Sequence, residues 1–165
     1  MSTGGGNQSI MRWDPKVGAD EDSVPFYAVI GNNGYYGWYA ATAGSGRKSM
    51  VSGIASDSSC PSGWKLPSSW ENLFAVTYNI STANGNASLA RTLPHSLELT
   101  GWADLSSSPY RNDYMTNGGY WTSSPYDNER ARQLALSQGT ISPIYYSKKN
   151  TTGLAVRCVQ RDQSE

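Results

Sequence analysis

Two apolar, β-prone runs open the patterned part of the chain. Ser23 to Ile30 stops at Gly31-Asn-Asn-Gly34, and Tyr35 to Ala41 follows. Runs of this kind around an Asn/Gly turn predict a hairpin or two sequential strands. Thr42 to Ser59 is small and polar, which reads as a long loop. Beyond Cys60-Pro-Ser-Gly-Trp-Lys-Leu-Pro67, Ser68 and Glu71 stand three apart ahead of Leu73, Phe74 and Thr77. That is the spacing of a capping box, in which the serine takes a free backbone N–H and the glutamate reaches back to the serine N–H, so an amphipathic helix is predicted over 69–78. Residues 79–95 are ambiguous, with material for a short second helix at Ala87 to Thr92. Leu97, Leu99 and Trp102 then alternate with polar residues as in a half-buried strand. Four short β-prone runs fill the C-terminal half: Gly119 to Ser124, Ala131 to Leu136, Thr140 to Ile144 and Gly153 to Val159. Turn residues separate them, as in an antiparallel sheet of hairpins and loops. The core candidates are Trp38, Trp64, Leu66, Leu73, Phe74, Trp121, Leu134, Leu136, Leu154 and Val156.

Composition supports the same picture. Only 16% of the 165 residues are charged, while Gly, Ser, Thr, Asn and Tyr abound. Long solvated helices need Glu, Lys, Arg and Ala, so short strands and ordered turns are expected. The length suits one domain, and residues 1–22, which begin Met-Ser-Thr-Gly-Gly-Gly, read as a flexible segment ahead of a single domain over 23–162. Lys and Arg together number 13, as do Asp and Glu. Zero net charge argues against nonspecific attraction to nucleic acid or anionic lipid. No apolar run approaches the length of a spanning helix and no signal peptide stands out, so direct membrane insertion is not expected.

The chemistry-bearing residues are few. Cys60 and Cys158, 98 positions apart, are the only cysteines. Zinc needs about four ligands, which two Cys and the single His95 cannot supply unaided, so no metal site is assigned. The cysteines read either as a long-range disulfide, the favoured option, or as two buried thiols. Nothing around His95 resembles a nucleophile elbow or a catalytic-cysteine signature; no catalytic residue and no cofactor are assigned, and the chain is read as a non-enzyme. Asp20-Glu-Asp22 lacks the spacing of a calcium loop.

The segments 125–132 and 144–152 are more informative. Both fall in turns between predicted strands and mix Tyr, Arg, Asp, Asn, Ser and Lys. Antibody paratopes have a similar make-up, because Tyr offers a large contact area with few torsions to freeze and Asn and Ser supply adaptable hydrogen bonds. Ordinary polar hairpin loops remain the alternative.

Tyr35-Tyr-Gly-Trp-Tyr-Ala-Ala-Thr-Ala43, the block Cys60 to Pro67, Gly119-Tyr-Trp-Thr-Ser-Ser124 and Gly153-Leu-Ala-Val-Arg-Cys-Val159 together resemble the blocks of the Fibrobacter succinogenes major paralogous domain family. The resemblance spans residues 25–160. It implies an α+β, C-type-lectin-like fold: a small twisted antiparallel sheet, one or two flanking helices, long ordered loops, and N- and C-terminal strands that pair. Domains of this kind occur on bacterial surface proteins, and related ones are the variable proteins of diversity-generating retroelements, whose ligand face is altered by mutating template adenines, often in Asn codons. Such codons yield Tyr, Asp, Arg, Ser, Thr, Ile or Asn, but not Lys, Glu, Gln, Met or Trp. Tyr126, Asp127, Asn128, Arg130, Arg132, Tyr145, Tyr146, Ser147, Asn150 and Thr151 belong to that set; Glu129, Gln133, Lys148 and Lys149 do not. Neither the Glu-Pro-Asn nor the Trp-Asn-Asp motif of calcium-dependent lectins is present.

The resemblance therefore implies a recognition protein, displayed outside the cell, on a cell surface or on a virus particle, with those ten residues as its ligand site. Tyr126, Tyr145 and Tyr146 would anchor a macromolecular ligand, protein or glycan, on another cell or particle, and Arg130, Arg132 and Asp127 would give directional contacts. A carbohydrate-binding or adhesin domain of fixed specificity is the alternative.

Overall fold

The computed structural model describes residues 9–12, 26–79, 91, 96–104 and 110–161. Its largest sheet comes from the C-terminal runs: β7 (Asn117–Pro125), β8 (Arg130–Ser137) and β9 (Ile141–Lys148), antiparallel in that order. β7 is buried from Gly118 to Pro125. Successive side chains of a strand point to opposite faces, so Tyr120 and Trp121 enter different clusters. Tyr120 joins Leu97, Leu99, Leu134, Leu136 and Ile141. Trp121 joins Trp38, Tyr39, Leu66, Ala131 and Leu154.

The N-terminal runs form β2 (Phe26–Ile30) and β3 (Asn33–Tyr36). Ile30 pairs with Asn33 across the two-residue turn Gly31-Asn32, where Gly31 takes a φ of 64° that glycine adopts without a Cβ clash. Ser9–Arg12, which the sequence reading places in a flexible segment, instead forms β1 on the free edge of β2. The expected strand Tyr35 to Ala41 is also corrected. It divides after Tyr36, where the Gly37 N–H donates to the Phe26 carbonyl at 2.8 Å. Trp38–Ala41 then makes a single helical turn, α1, buried on every side. Burial all round leaves no period to distinguish a turn of helix from a strand.

Two-residue strands β4 (Trp64–Lys65) and β11 (Val159–Gln160) pair with each other beside the Cys60–Cys158 disulfide. α2 (Ser69–Asn79) carries the anticipated capping box: Ser68 N–H donates to Glu71 Oε2 at 2.7 Å and Glu71 N–H to Ser68 Oγ at 3.2 Å. Lys65 Nζ lies 3.0 Å from Glu71 Oε1. Burial pushes the Glu71 carboxyl up, but the Ser68 hydrogen bonds and Lys65 outweigh it and hold the group below its usual range.

β5 (Trp102–Asp104), β6 (Tyr110–Asn112) and β10 (Thr152–Gly153) form a further three-stranded sheet in the order β10-β5-β6. Ahead of it Leu97 and Leu99 are buried and alternate as expected, yet they lie in extended chain without a ladder, which touches β7 through a Gly101–Gly118 bridge. Two core candidates are overturned, since Trp64 is 45% and Phe74 62% exposed. Trp64 sits in the two-residue strand at the surface. Phe74 shares the outward side of α2 with the exposed Trp70, four residues earlier, while Leu73 is half-buried. The described part of the chain is thus a mixed α+β arrangement of small antiparallel sheets with few helices. The second helix anticipated at Ala87 to Thr92, His95 and the Asp20-Glu-Asp22 run lie outside the described residues, save Arg91.

Candidate functional site

The β7–β8 hairpin is closed by its own backbone: the Tyr126 and Asp127 N–H groups donate to the Arg130 carbonyl at 2.9 and 3.1 Å. Asp127 Oδ1 accepts the N–H groups of Glu129 at 2.9 Å and Arg130 at 2.7 Å, the local turn bonding for which Asp is suited. Its Oδ2 accepts Arg130 Nε at 2.7 Å. The Arg130 hydrogen bond holds the Asp127 carboxyl below its ordinary range, and the same contact raises Arg130. Asp127 thus shapes the turn and aims Arg130.

Register does the rest. Arg132 pairs with Tyr146 and Arg130 with Lys148, so these side chains share a face. On that face Tyr126 and Tyr146 stack with ring centres 4.5 Å apart and planes 11° from parallel; Tyr145, the register partner of Gln133 on the other face, brings its ring to 5.5 Å from that of Tyr146 at the sheet edge. The Arg130 guanidinium lies 4.8 Å from the Tyr126 ring centre and 4.6 Å from that of Tyr146; Arg132 lies 5.0 Å from Tyr126. Cation–aromatic contacts at these distances contribute about 0.5–1 kcal/mol each at exposed sites. Tyr126, Tyr145 and Tyr146 remain 38%, 54% and 37% exposed, so each ring keeps open surface although it is already held in place.

Of the ten candidate residues, Tyr126, Asp127, Arg130, Arg132, Tyr145 and Tyr146 are drawn into this platform. Asn128 is exposed at the hairpin tip, and Asn150 and Thr151 lie in the turn between β9 and β10. Ser147 points elsewhere: its Oγ accepts Nε2 of the buried Gln133 at 2.8 Å. The expected loop over 144–152 is corrected, because Ile144 to Lys148 completes β9 and only Lys149 to Thr151 turns. β8 offers partners as far as Arg130, so the ladder continues. The strand's consecutive exposed residues Ile144, Tyr145 and Tyr146 conceal it from a period-two search.

Lys149, which the sequence marked only as outside the variable set, is wholly buried. Its ammonium donates to the carbonyls of Met50 at 2.8 Å, Lys48 at 3.3 Å and Arg47 at 3.4 Å, and lies 4.8 Å from the Trp38 ring centre. Its backbone N–H donates to Glu129 O and its carbonyl accepts the Trp38 N–H. The residue ties the hairpin to the 47–50 loop and to α1. No local spacing announces such a role, since its partners lie about a hundred positions away.

A cavity of about 480 Å³ also opens among β5, β10 and the β7-β8-β9 sheet. Trp102 and Asp113, which the sequence reading did not single out as a site, line it with Gln133, Tyr145 and Ser147. Among the described residues no three His, Cys, Asp or Glu side chains converge as a metal site would require. No helix among them is long and apolar enough to cross a membrane. Compared with known proteins, the chain gives no match to a family model, a curated protein or a solved structure.

Proposed function

We propose that this chain is a C-type-lectin-like recognition domain, and that the Tyr126–Tyr146–Tyr145 stack with Arg130 and Arg132 is its binding surface for a macromolecular ligand. The observation that carries the reading is the separation of scaffold from contact residues. The hairpin backbone, Asp127, Gln133 and Lys149 hold the geometry, while the exposed tyrosines and Arg132 spend little on it. Stacked aromatics and arginines with few degrees of freedom left are what binding hot spots are made of. The fold assignment draws support from Tyr36 and Leu154, near opposite ends of the described chain, which exchange backbone hydrogen bonds at 2.9 and 3.0 Å.

The variable protein of a diversity-generating retroelement is the form of this function we favour. Of the four residues that mutated Asn codons would not produce, Gln133 and Lys149 are buried and hydrogen-bonded, while Glu129 and Lys148 are exposed. Tyr126, Asn128, Tyr145, Tyr146 and Asn150, which such codons do produce, are exposed. The disulfide agrees with a place outside the reducing cytosol, on a cell surface or virus particle.

A displayed library of the full chain tests this reading. Randomising Tyr126, Asn128, Arg132, Tyr145, Tyr146 and Asn150 over the adenine-derived residues is expected to leave most members protease-resistant, because exposed substitutions cost about 0.5 kcal/mol each or less. Randomising Gln133 and Lys149 over the same residues is expected to lose that resistance. Equal sensitivity of the two libraries would overturn the separation of scaffold from contact face. The retroelement form requires, in addition, a near-copy of the segment encoding 120–152 close to the gene and differing at adenines. Without one, the face has a fixed specificity.

A further inference from the structure

The cavity has a lining distinct in character from the tyrosine platform. Apart from the Asp113 carboxylate its polar side chains are amides and hydroxyls, among them Asn117, Gln133, Ser142 and Thr152, and each of these can both donate and accept. Gln133 is only 5% exposed, and its carboxamide is fixed by the bond to Ser147, so the polar floor is pre-set. Two aromatic surfaces border it, the half-buried indole of Trp102 and the ring of Tyr145. The acid in the lining, Asp113, already accepts the Trp102 indole N–H through Oδ2 at 3.2 Å, which steadies that ring. No lysine or arginine is among the described lining residues.

We infer that this cleft is a binding site for a neutral saccharide unit. A sugar ring offers hydroxyls that donate and accept at once, matching the amides and hydroxyls of the floor, and an apolar C–H face that suits Trp102 or Tyr145. An anionic ligand such as a phosphate or uronate would meet no cation there, and would face Asp113. The volume lies within the range of about 300–1,000 Å³ common for small-ligand sites and suits one or two sugar rings. The cleft goes beyond the platform proposed above and stands without it. Tyr145 belongs to both, lining the cavity while stacking on Tyr146, so a glycan end held in the cleft would lead its chain onto the platform.

The test is titration of the full chain with neutral monosaccharides and disaccharides, and with glucosamine and glucuronate as charged controls. Ligand-observed NMR and tryptophan fluorescence read the binding. At least one neutral sugar is expected to saturate with a Kd of about 1 mM, an affinity suited to a single unit. Ser142→Phe, which fills the cleft from β9, and Tyr145→Ala, at an exposed position, are each expected to weaken it about tenfold or more, a change of about 1.4 kcal/mol. An unaltered far-UV circular dichroism spectrum and a cooperative urea transition show that a variant is folded. Absence of neutral-sugar binding overturns the inference. So does preference for glucosamine, which would make the cleft an amine site through Asp113, or binding that survives Ser142→Phe and is lost in Tyr126→Ser/Tyr146→Ser, which would put the sugar on the platform. The library experiment above reads the platform independently of these outcomes.

Discussion

Replacing Lys149 by methionine is expected to cost the fold about 3 kcal/mol, a large effect for one residue of a turn. Methionine keeps much of the apolar stem, so the change isolates the ammonium. What is lost is the common donor to the carbonyls of Arg47, Lys48 and Met50, together with the charge over Trp38. A buried acceptor left without its partner costs about 1–3 kcal/mol, and more than one is orphaned here. Urea denaturation of the two proteins measures the difference, and a loss below about 1 kcal/mol would mean that water or a neighbour replaces the ammonium.

The same group gives a pH dependence whose sign can be worked out. Burial pushes the Lys149 ammonium down to about 8, against a smaller opposing pull from Asp127. An unfolded lysine releases its proton near 10.4. Below pH 8 both states are charged and the cost of burying that charge is fully present. Above it the folded protein gives up its proton while the unfolded chain keeps its own, so stability from this residue rises with pH until both states are neutral, by up to about 1.4 kcal/mol per pH unit. The stability margin of the wild type over Lys149→Met is therefore expected to widen between about pH 7 and 9.5. A flat or narrowing margin would mean that the carbonyl cage keeps the ammonium charged.

The second large effect belongs to the disulfide. Cys60 and Cys158 close a loop of 98 residues, and removing a crosslink over such a span costs about 4–5 kcal/mol in the chain-entropy description. The paired strands beside it are only two residues long, and their neighbour, the Arg161 N–H bonded to Gly63 O, adds one further rung. An isolated two-stranded ladder is marginal in water, so β4 and β11 depend on the crosslink for their proximity. For a Cys60→Ser/Cys158→Ser variant we expect a urea midpoint lowered by most of that amount. Amides of Lys65 and Val159 should exchange well before those of β7. A variant within about 1 kcal/mol of the oxidised protein would show that the core holds the two ends without it.

What could be read in advance was whatever is settled by neighbours in sequence. Ser68 and Glu71 cap a helix through contacts three residues apart, and the α2 start follows. β-prone runs bounded by turn residues located β7 and β8. Trp64 and Phe74 were misplaced because an apolar side chain says nothing about which side of its element meets the core. Lys149 was opaque, its partners being supplied by a distant loop. The platform was half legible: the tyrosines stood out by type, but their stacking depends on the register of β8 against β9 and on a hairpin held by Asp127.

The stack also has an optical consequence. Near-parallel phenol rings at 4.5 and 5.5 Å couple their electronic transitions, and a chiral arrangement of coupled transitions produces circular dichroism in the near ultraviolet. Any partner that parts Tyr126 from Tyr146, or slides between them, would alter that signal without a label. The surface therefore carries its own reporter, and its occupancy can be followed by light before the identity of the occupant is known.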